Sequence, residues 1–438
     1  MNIQPIATIV PDEIYTDRQE FIDLFYKLAI NASGRRSMSS VLLGQRRMGK
    51  TEIFKRVVNK LFLEQDYQDP KAVIPVYFEF DTIKPGQKYD RWDFAVSYTE
   101  NFIRWYAAFK LNDPYLLTDR INIELLVESL SDKLTITKPL SIALNFYESL
   151  LQKKIHLPEG KALKLPRNIS DRDDCTIVVF MDEIQNIVTS DYSFNIIGPL
   201  KNAVESPTCP HFVTGSAMTL LIDILGKGSL YGRFDAHPIH RLTHYYGAEL
   251  AQKSAAFYQA TVPKDMVCVI SDKCGGNPYY INSVIQRSAM MNKPLTSEKA
   301  INEILGIDIS SGFIYQELRE QVIQWIERVN DYGVTKWVLY LAALEENQQI
   351  DLYRIQKQIK EQVRKDVDIA TIERVLINLS KGDLIDYKDF GKWFTKINDP
   401  ILNEFLKIWG EIEVKYIRRN EVERDTVKKI YSCHKKVF

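Results

Sequence analysis

Three features that would indicate a disulfide-rich, nucleic-acid-coating or membrane protein are missing from this sequence. Its five cysteines are scattered along the chain, unlike those of a disulfide-rich framework, and include no Cys-x-x-Cys pair of the kind that binds zinc. Lysine plus arginine equals aspartate plus glutamate, at 57 residues each, so no net charge draws the chain to nucleic acid or anionic lipid. The longest apolar runs, such as residues 176–181, are far too short to span a bilayer.

The first residues also lack the basic region and apolar core of a secretory signal peptide. We therefore expect a cytoplasmic protein that makes no membrane contact. Apolar residues make up 45% of the chain and charged residues 26%, the balance of an ordinary globular protein. Because 438 residues exceed what one hydrophobic core usually holds, two or three domains are expected.

Apolar runs of strand length alternate with helical periodicity in the first half of the chain. The predicted strands cover residues 39–43, 72–80, 176–181 and 211–216. Residues 92–156 are rich in aromatic residues at helical spacing, whereas the polar, proline-containing residues 158–174 predict a loop. Strands that alternate with helices predict an α/β fold, with a parallel sheet covered by helices on both faces.

Strand signals stop beyond residue 245, which indicates a change of architecture. The predicted domains are a core at 1–245, a helical lid subdomain at 246–330, a winged helix-turn-helix at 331–410 and a basic tail at 411–438. The winged helix is predicted from the order of three helices followed by a hairpin around residues 388–392. The aromatic stretch at about 92–156 is then a helical insertion within the core.

A complete G-x-x-x-x-G-K-[ST] motif lies between the first predicted strand and the helix that follows it. Its glycines let the backbone N–H groups point at phosphate oxygens, and the helix presents its positive N-terminal end to the same anions. Lys50 can reach the β- and γ-phosphates during binding and catalysis, and the Thr51 hydroxyl can occupy one Mg²⁺ position. The predicted nucleotide-binding residues here are Gly44, Gln45, Arg46, Arg47, Met48, Gly49, Lys50, Thr51 and Glu52. The motif predicts a site for ATP and Mg²⁺.

A second acidic signal follows the predicted strand at residues 176–181. Asp182 and Glu183 lie at the carboxyl end of this strand, where open α/β sheets bind their ligands. We predict that Asp182 holds the magnesium ion and that Glu183 is the general base for the attacking water. An acidic pair after a strand is weak evidence by itself, and becomes specific when paired with a phosphate loop.

Two later positions are candidates for contact with the γ-phosphate. Ser216 or Thr214, at the end of the strand at 211–216, can hydrogen-bond the attacking water; the alternative is a strand-end turn at Gly215. Arg233, in a glycine-flanked turn, can stabilise the charge of the departing phosphoryl group, within its own subunit or across a subunit contact. The alternative is a surface arginine beside Asp235.

Taken in order, the segments GQRRMGKT, VVFMDE, FVTGS, SLYGRF, CGGNPYYI and INDPILNEFLKIW resemble the archaeal-type ATPases of the STAND class. These proteins are signal-transduction switches related to the AAA+ origin initiators, and the resemblance covers residues 14–409. It implies that Tyr15 and Arg18 belong to a box that packs near the adenine. It also implies that Pro278 belongs to a lid over the base and ribose, although Gly-Gly-Asn-Pro is equally a plain helix-breaking turn.

The sequence departs from that family in two ways. The span between the phosphate loop and Asp182 is unusually long, and the appended sensor repeats of many large STAND proteins are missing. The insertion, the winged helix or a separate chain must therefore sense the signal.

The predicted winged helix leaves its partner open. Its third helix, at about 370–381, carries mixed charges, whereas a major-groove reader usually presents several arginines, asparagines or glutamines. Its second helix and the tail are more basic and can contact phosphates without reading sequence. Protein docking or autoinhibition is favoured over contact with double-stranded DNA, and the oligomeric state is left open.

Three functions follow from these features. The first is an ATP-hydrolysing switch whose nucleotide state controls partner binding through the lid and winged helix. The second is a DNA-binding initiator- or loader-like ATPase of a mobile element or defence locus. The third is a scaffold that holds ATP without hydrolysing it.

Overall fold

The computed structural model describes residues 4–80, 89–118, 126, 138–173, 175–188, 194–215, 221, 224–225, 230, 232–327, 332–388, 393–397 and 399–422. These residues form two compact units. The first unit contains residues 4–10 and the described residues from 18 to 239, and the second contains residues 11–17 and those from 240 onward. The predicted lid and winged-helix boundaries within the second unit stay predictions.

The first unit is built on a five-stranded sheet in which every pairing is parallel. Its strands are β1 (Ser40–Leu43), β2 (Val73–Glu79), β3 (Thr176–Asp182), β4 (His211–Thr214) and β5 (Asp235–Pro238). Their order in the sheet is β2-β3-β4-β1-β5. The strand that leads into the phosphate loop and the strand that carries the acidic pair are therefore separated by β4. All three present their carboxyl ends to one edge, as predicted for a parallel sheet.

Six α-helices of the first unit are described. They are α1 (Gln19–Ala32), α2 (Lys50–Glu64), α3 (Arg91–Leu111), α4 (Lys138–Leu151), α5 (Pro158–Asp173) and α6 (Ile197–Val204). Part of the core between helices and sheet is a chain of edge-to-face aromatic rings. Phe25 of α1 packs on Phe54 of α2, Phe54 on Phe180 of β3, and Phe180 on Phe212 of β4, each with ring centroids 5.3 Å apart. Such pairs contribute about 0.5–1.5 kcal/mol each beyond the area they bury.

The prediction of a loop at residues 158–174 is wrong for the part that the structure describes. Residues 158–173 form α5, which buries Ala162, Leu165 and Ile169 at helical spacing. The helix is tied to the sheet by the Ser170 hydroxyl, which donates to the carbonyls of Cys175 and Thr208. Pro166 lies inside the helix and cannot donate a backbone hydrogen bond there. Because proline and a polar composition are typical of loops, the sequence pattern did not indicate this helix, which is stabilised by packing.

The strand β5 was not predicted from the sequence. Asp235, Ala236 and Pro238 are exposed, because β5 is the edge strand beside β1. An exposed edge strand lacks the apolar run or alternation by which a strand is recognised. Its pairing with β1 follows from the fold rather than from its composition.

The second unit is mainly helical. Its helices are α7 (His244–Phe257), α8 (Lys264–Lys273), α9 (Pro278–Met290), α10 (Glu298–Ser311), α11 (Phe313–Glu327), α12 (Tyr332–Ala343), α13 (Leu352–Val363), α14 (Ile369–Lys381) and α15 (Pro400–Glu413). The short strands β6 (Asp386–Lys388) and β7 (Trp393–Thr395) pair antiparallel, as the predicted hairpin requires. The hairpin tip at 389–392 and the predicted tail beyond 422 lie outside the described residues. One cluster of buried apolar residues runs from Leu242 to Val422.

Side-chain caps begin many of these helices. Asp90 and Asp93 form a reciprocal capping box at the start of α3. Asn277, Asp351 and Asp399 cap α9, α13 and α15 by accepting hydrogen bonds from the first backbone N–H groups. Across the described parts of the chain, every helix is too short or too polar to cross a bilayer.

Candidate nucleotide-binding site

The predicted phosphate loop joins β1 to α2, as the motif requires. Gly49 has φ 89°, and Arg47, with φ 61°, adopts the left-handed conformation as well. Gly44 lies so close to Ile239 that an added Cβ would overlap the isoleucine side chain. The loop is thus curled tightly at both ends, and its second glycine directly precedes the N-terminus of α2.

Lys50, the first residue of α2, points its ammonium group back into this loop. The side chain is buried, and Nζ donates to the carbonyl oxygens of Gly44 at 2.8 Å and Gln45 at 2.6 Å. The positive charge is therefore held inside the curve of the loop. Phosphate oxygens, being anionic, are stronger acceptors for an ammonium group than these neutral carbonyls.

The two predicted magnesium ligands contact each other. The Thr51 side chain of α2 lies close enough to the carboxylate of Asp182, at the end of β3, to lower the pKa of that group. This carboxylate also accepts the Glu183 backbone N–H on Oδ1, at 2.8 Å, and the Tyr77 hydroxyl on Oδ2, at 3.0 Å. The tertiary fold brings together residues that are 131 positions apart in the sequence.

The surroundings of Asp182 fit a cation. The residue is 1% exposed, and burial, followed by the negative charge of Glu183, raises the pKa of its carboxyl group. The nearby Thr51 side chain and the hydrogen bonds from the Glu183 backbone and Tyr77 act in the opposite direction. A divalent cation beside this carboxylate would favour its charged form. Among the described residues there is no cluster of three or more His, Cys, Asp or Glu side chains. A magnesium ion here would thus be held by Asp182, Thr51 and phosphate oxygens, as Mg²⁺ usually is.

Glu183 follows β3 in a strained conformation. Its φ is 53°, a left-handed value that a non-glycine residue adopts at a cost of about 1 kcal/mol or more. Its carboxylate accepts a hydrogen bond from the Nε2 of Gln185. Gln185 is itself buried against the end of β4, where a Cβ on Gly215 would overlap its Oε1. The predicted base is thus oriented by a side chain that also contacts the neighbouring strand.

Sequence reasoning missed Tyr77 and Gln185. Gln185 lies two residues from the predicted base, so a polar side chain close to it was a signal that could have been used. Tyr77 lies inside the apolar run of β2 and carried no such signal.

The strand-end candidates have different outcomes. Thr214 is fully buried, and its hydroxyl donates to the carbonyl of Leu42 on β1 at 3.0 Å, so it links two central strands. Ser216 lies outside the described residues, and its predicted contact with the γ-phosphate stays a prediction.

Arg233 lies near the amino-terminal ends of the strands, whereas the phosphate loop follows the carboxyl end of β1. Arg233 precedes β5, whose first residue, Asp235, is aligned with Ser40 at the start of β1. The phosphate loop begins after Leu43, three strand positions or about 10 Å further along. The guanidinium Nε donates to Glu205 at 2.6 Å. This register does not support a role within its own subunit, and a role across a subunit contact stays a prediction.

The Glu52 side chain is committed to the N-terminal segment. Its buried carboxylate accepts the backbone N–H groups of Ile9 at 2.9 Å and Val10 at 3.3 Å, and pairs with Arg56 at 2.9 Å. Arg56 in turn donates to the carbonyl of Val10 at 2.8 Å. Only the backbone N–H of Glu52 is left as its predicted contribution to phosphate binding.

Three residues are assigned to the adenine and ribose by resemblance, and they are divided between the two units. Arg18 is buried in the first unit, at the N-terminus of α1, with φ 75°. Tyr15 belongs to the second unit, where its carbonyl accepts a hydrogen bond from Lys253 at 3.1 Å. Pro278 is the first residue of α9 in that unit. Their contacts with the adenine or ribose stay predictions.

The chain matches no known family model and no curated protein sequence. Its structure is similar to a Walker-type ATPase of Pyrococcus abyssi, with 17% identity and a TM-score of 0.59 over 92% of this chain and 99% of that one. It is also similar to the ORC2 protein of Aeropyrum pernix in its ADPNP-ADP complexes, with 13% identity and a TM-score of 0.50 over 97% of each chain. These likenesses show that the chain has the α/β P-loop ATPase fold of archaeal Walker-type and ORC proteins, and they confirm the resemblance at the level of the fold.

Proposed function

We propose that this chain binds ATP with Mg²⁺ at residues 44–51, hydrolyses it, and uses its nucleotide state to control the binding of a protein partner. One observation carries the proposal. The Thr51 side chain of α2 lies beside the carboxylate of Asp182 at the end of β3, and the predicted base Glu183 directly follows Asp182. This arrangement supports a metal position and a general base beside a loop that holds a buried ammonium group.

Binding would use groups that are already oriented. The backbone N–H groups of the loop and the positive end of α2 attract the phosphate oxygens. Lys50 exchanges its hydrogen bonds to the Gly44 and Gln45 carbonyls for bonds to phosphate. Magnesium would neutralise part of the phosphate charge, held by Thr51 and Asp182.

Hydrolysis would be assisted by Glu183 as general base. As a water oxygen attacks the γ-phosphorus, the carboxylate accepts the proton that the water loses. The bond from the γ-phosphorus to the bridging oxygen breaks, and ADP and inorganic phosphate are formed. Gln185 donates a hydrogen bond to the carboxylate of Glu183 and keeps that carboxylate oriented during this step.

The switch would act through the second unit. Described residues of this unit come shortly before α1, at residues 11–17, and shortly after β5, from residue 240 onward. Nucleotide binding shifts the conformational equilibrium of that unit only if it favours one arrangement by a few kcal/mol. One or two charge-assisted hydrogen bonds to the γ-phosphate have that magnitude.

A protein partner is favoured over DNA by the charges around α13. Lys360 pairs with Asp366 at 3.2 Å, and Lys357 approaches Glu361 at 4.0 Å. Arg354 pairs with Glu345 at 3.2 Å. Because each of these basic groups has an acidic neighbour, α13 presents less net positive charge to a phosphate backbone than its sequence suggests.

The test of hydrolysis is Glu183→Gln, measured by Mg²⁺·ATP binding and by phosphate release. The dissociation constant should stay within about threefold, while turnover falls by about 100-fold or more, the usual contribution of a general base. The matched control is Glu79→Gln, because Glu79 ends the neighbouring strand in register with Asp182. It should leave turnover within about threefold. Parent-level turnover by Glu183→Gln would remove hydrolysis by this residue from the proposal.

The test of the switch is a pull-down with the Glu183→Gln chain, with ATP and with ADP. The ATP-loaded chain should retain a protein that the ADP-loaded chain releases. Identical captures in both states would contradict nucleotide control. Salt-dependent binding of duplex DNA that is lost when Lys357, Lys360 and Arg364 are neutralised would favour the initiator-like alternative instead.

A further inference from the structure

Three sequence segments that are far apart along the chain meet at one guanidinium group in the second unit. Arg241 donates from Nη1 to the carbonyl of Gly275, at 3.3 Å, and from Nη2 to Oδ2 of Asp399, at 2.9 Å. Gly275 belongs to the Cys-Gly-Gly-Asn-Pro turn before α9, and Asp399 directly precedes α15. A single side chain therefore connects the starts of two helices that are more than 100 residues apart.

The backbone next to Arg241 is fixed to the same turn. The Leu242 N–H donates to the Gly276 carbonyl at 2.8 Å. Gly276 has φ 67°, and an added Cβ would overlap the Leu242 carbonyl oxygen. The two glycines are thus required by the close approach of residues 241–242, rather than only by the end of α8.

Asp399 divides its carboxylate between two tasks. One oxygen, Oδ1, caps α15 by accepting the N–H groups of Ile401 at 2.9 Å and Leu402 at 3.0 Å. The other oxygen, Oδ2, pairs with Arg241. The Asp399 side chain is 15% exposed and that of Arg241 28% exposed, so this ion pair is only partly screened by solvent. A rotation of α15 at its N-terminus therefore changes the contact with Arg241.

We propose that Arg241 is a positioning residue that couples the turn at 275–277 to α15. A conformational change in the turn then alters the N-terminus of α15, and the reverse. The turn leads directly into Pro278, and α15 packs on α12 and α10 in the C-terminal part of the chain. The coupling gives the C-terminal helices a defined route by which to respond to the turn. Its use as a signal rests on the proposed function, in which the nucleotide state changes the conformational equilibrium of the second unit.

The coupling itself is tested without nucleotide, by amide hydrogen exchange on the full chain. Asp399→Asn removes the charge but keeps a good N-cap, since asparagine caps as well as aspartate does. The amides of Gly275, Gly276 and Asn277 donate to backbone carbonyls of residues 272, 271 and 274 and report on the turn. Their exchange should become about two- to fivefold faster in Asp399→Asn and in Arg241→Gln, the scale expected for a partly exposed ion pair.

The matched control is Asp351→Asn, which alters the same kind of cap on α13 in the same unit. It should leave exchange at the turn unchanged. The double variant Arg241→Gln/Asp399→Asn should exchange no faster than the more affected single variant, because both remove one interaction. Unchanged exchange at the turn in both single variants, or an equal effect of Asp351→Asn, would overturn the coupling.

The signalling part is tested by adding Mg²⁺·ATP. In the unaltered chain, saturating ATP should change the exchange of residues 400–413 by about twofold or more, and Arg241→Gln should abolish this response while still binding ATP. A response that persists in Arg241→Gln, or α15 amides indifferent to ATP in the unaltered chain, would overturn this route. Failure of the unaltered chain to bind ATP would overturn the proposed function, whereas the nucleotide-free experiment would still decide the coupling.

Discussion

The hydroxyl of Tyr77 donates a hydrogen bond to Oδ2 of Asp182 at 3.0 Å, across two neighbouring strands of the sheet. Burial, and then the negative charge of Asp182, raises the pKa of Tyr77, so the phenol keeps its proton and can donate it to this carboxylate. This bond favours the charged form of Asp182, against the burial that raises the pKa of the same carboxyl group. A tyrosine inside an apolar strand thus lowers the pKa of the predicted metal ligand.

Replacing Tyr77 with phenylalanine should shift the acid limb of ATPase activity to higher pH. Without the donated bond, the pKa of Asp182 rises further, and the carboxylate that would hold Mg²⁺ becomes neutral at a higher pH. A shift of about one pH unit corresponds to a hydrogen bond of about 1.4 kcal/mol. The measurement is turnover against pH between 5 and 8 at fixed free Mg²⁺.

Tyr98→Phe, which removes a buried hydroxyl from α3, is the control and should leave the profile unchanged. Superimposable profiles for Tyr77→Phe and the unaltered chain would contradict this role.

Asp182→Asn should stabilise the metal-free protein while abolishing magnesium-dependent turnover. Burial raises the pKa of Asp182, so its charged form disfavours folding at neutral pH, and a neutral amide of the same shape avoids that cost. The contribution of Asp182 to the stability of the unaltered chain should accordingly rise as pH falls through the raised pKa of the folded state, and the variant should lack this contribution. Thermal unfolding in EDTA should show a rise in Tm of about 2 °C or more. A lower Tm would mean that the carboxylate is stabilising even without a cation. Asp23→Asn, on the surface of α1, controls for charge removal alone.

His211 should make the first unit sensitive to mild acid. Burial lowers the pKa of this imidazole from 6.5 to about 4, and its Nδ1 lies 3.0 Å from the Cys209 carbonyl oxygen. Between pH 6.5 and 4 the unfolded chain binds a proton that the folded chain excludes, so stability falls as the pH falls, by up to about 3 kcal/mol.

Urea unfolding at pH 7.0, 5.5 and 4.5 tests this pH dependence. His211→Gln should unfold with a shallower dependence on pH than the unaltered chain, whereas His244→Gln, at an exposed position, should retain the full dependence. Equal slopes for the two variants would show that other groups govern acid sensitivity.

Arg233 should contribute to hydrolysis only between subunits. Arg233→Ala should lower turnover by about tenfold or more if the guanidinium reaches a neighbouring γ-phosphate. Mixing this chain with an inactive Lys50→Ala chain, which supplies an intact Arg233, should restore part of the activity. Glu205→Gln, which removes its ion-pair partner, should not lower turnover. If Arg233→Ala alone has full activity, the arginine does not take part in hydrolysis, and the prediction is contradicted.

The phosphate loop and the acidic pair could be predicted because each is a local pattern. Gly44, Gly49 and Lys50 lie within seven residues, and Asp182 and Glu183 close a buried strand. The interpretation of residues 158–174 failed because Pro166 and a polar composition indicate a loop unless the packing face is known. The strand β5 was missed for a related reason, since its exposed residues follow no apolar pattern.

The sequence by itself determined that a phosphate loop follows the first strand and that two acids follow a later one, because backbone conformation and strand burial depend on neighbouring residues. Only the tertiary structure decided that Tyr77 and Thr51 both lie against the carboxylate of Asp182, and that Arg241 joins a glycine turn to Asp399. It also decided that Arg233 lies near the amino-terminal end of β5, away from the phosphate loop. These contacts depend on strand order, register and helix packing. Strand order, register and helix packing are determined by the burial of apolar surface over the whole unit, so a local sequence pattern does not predict them.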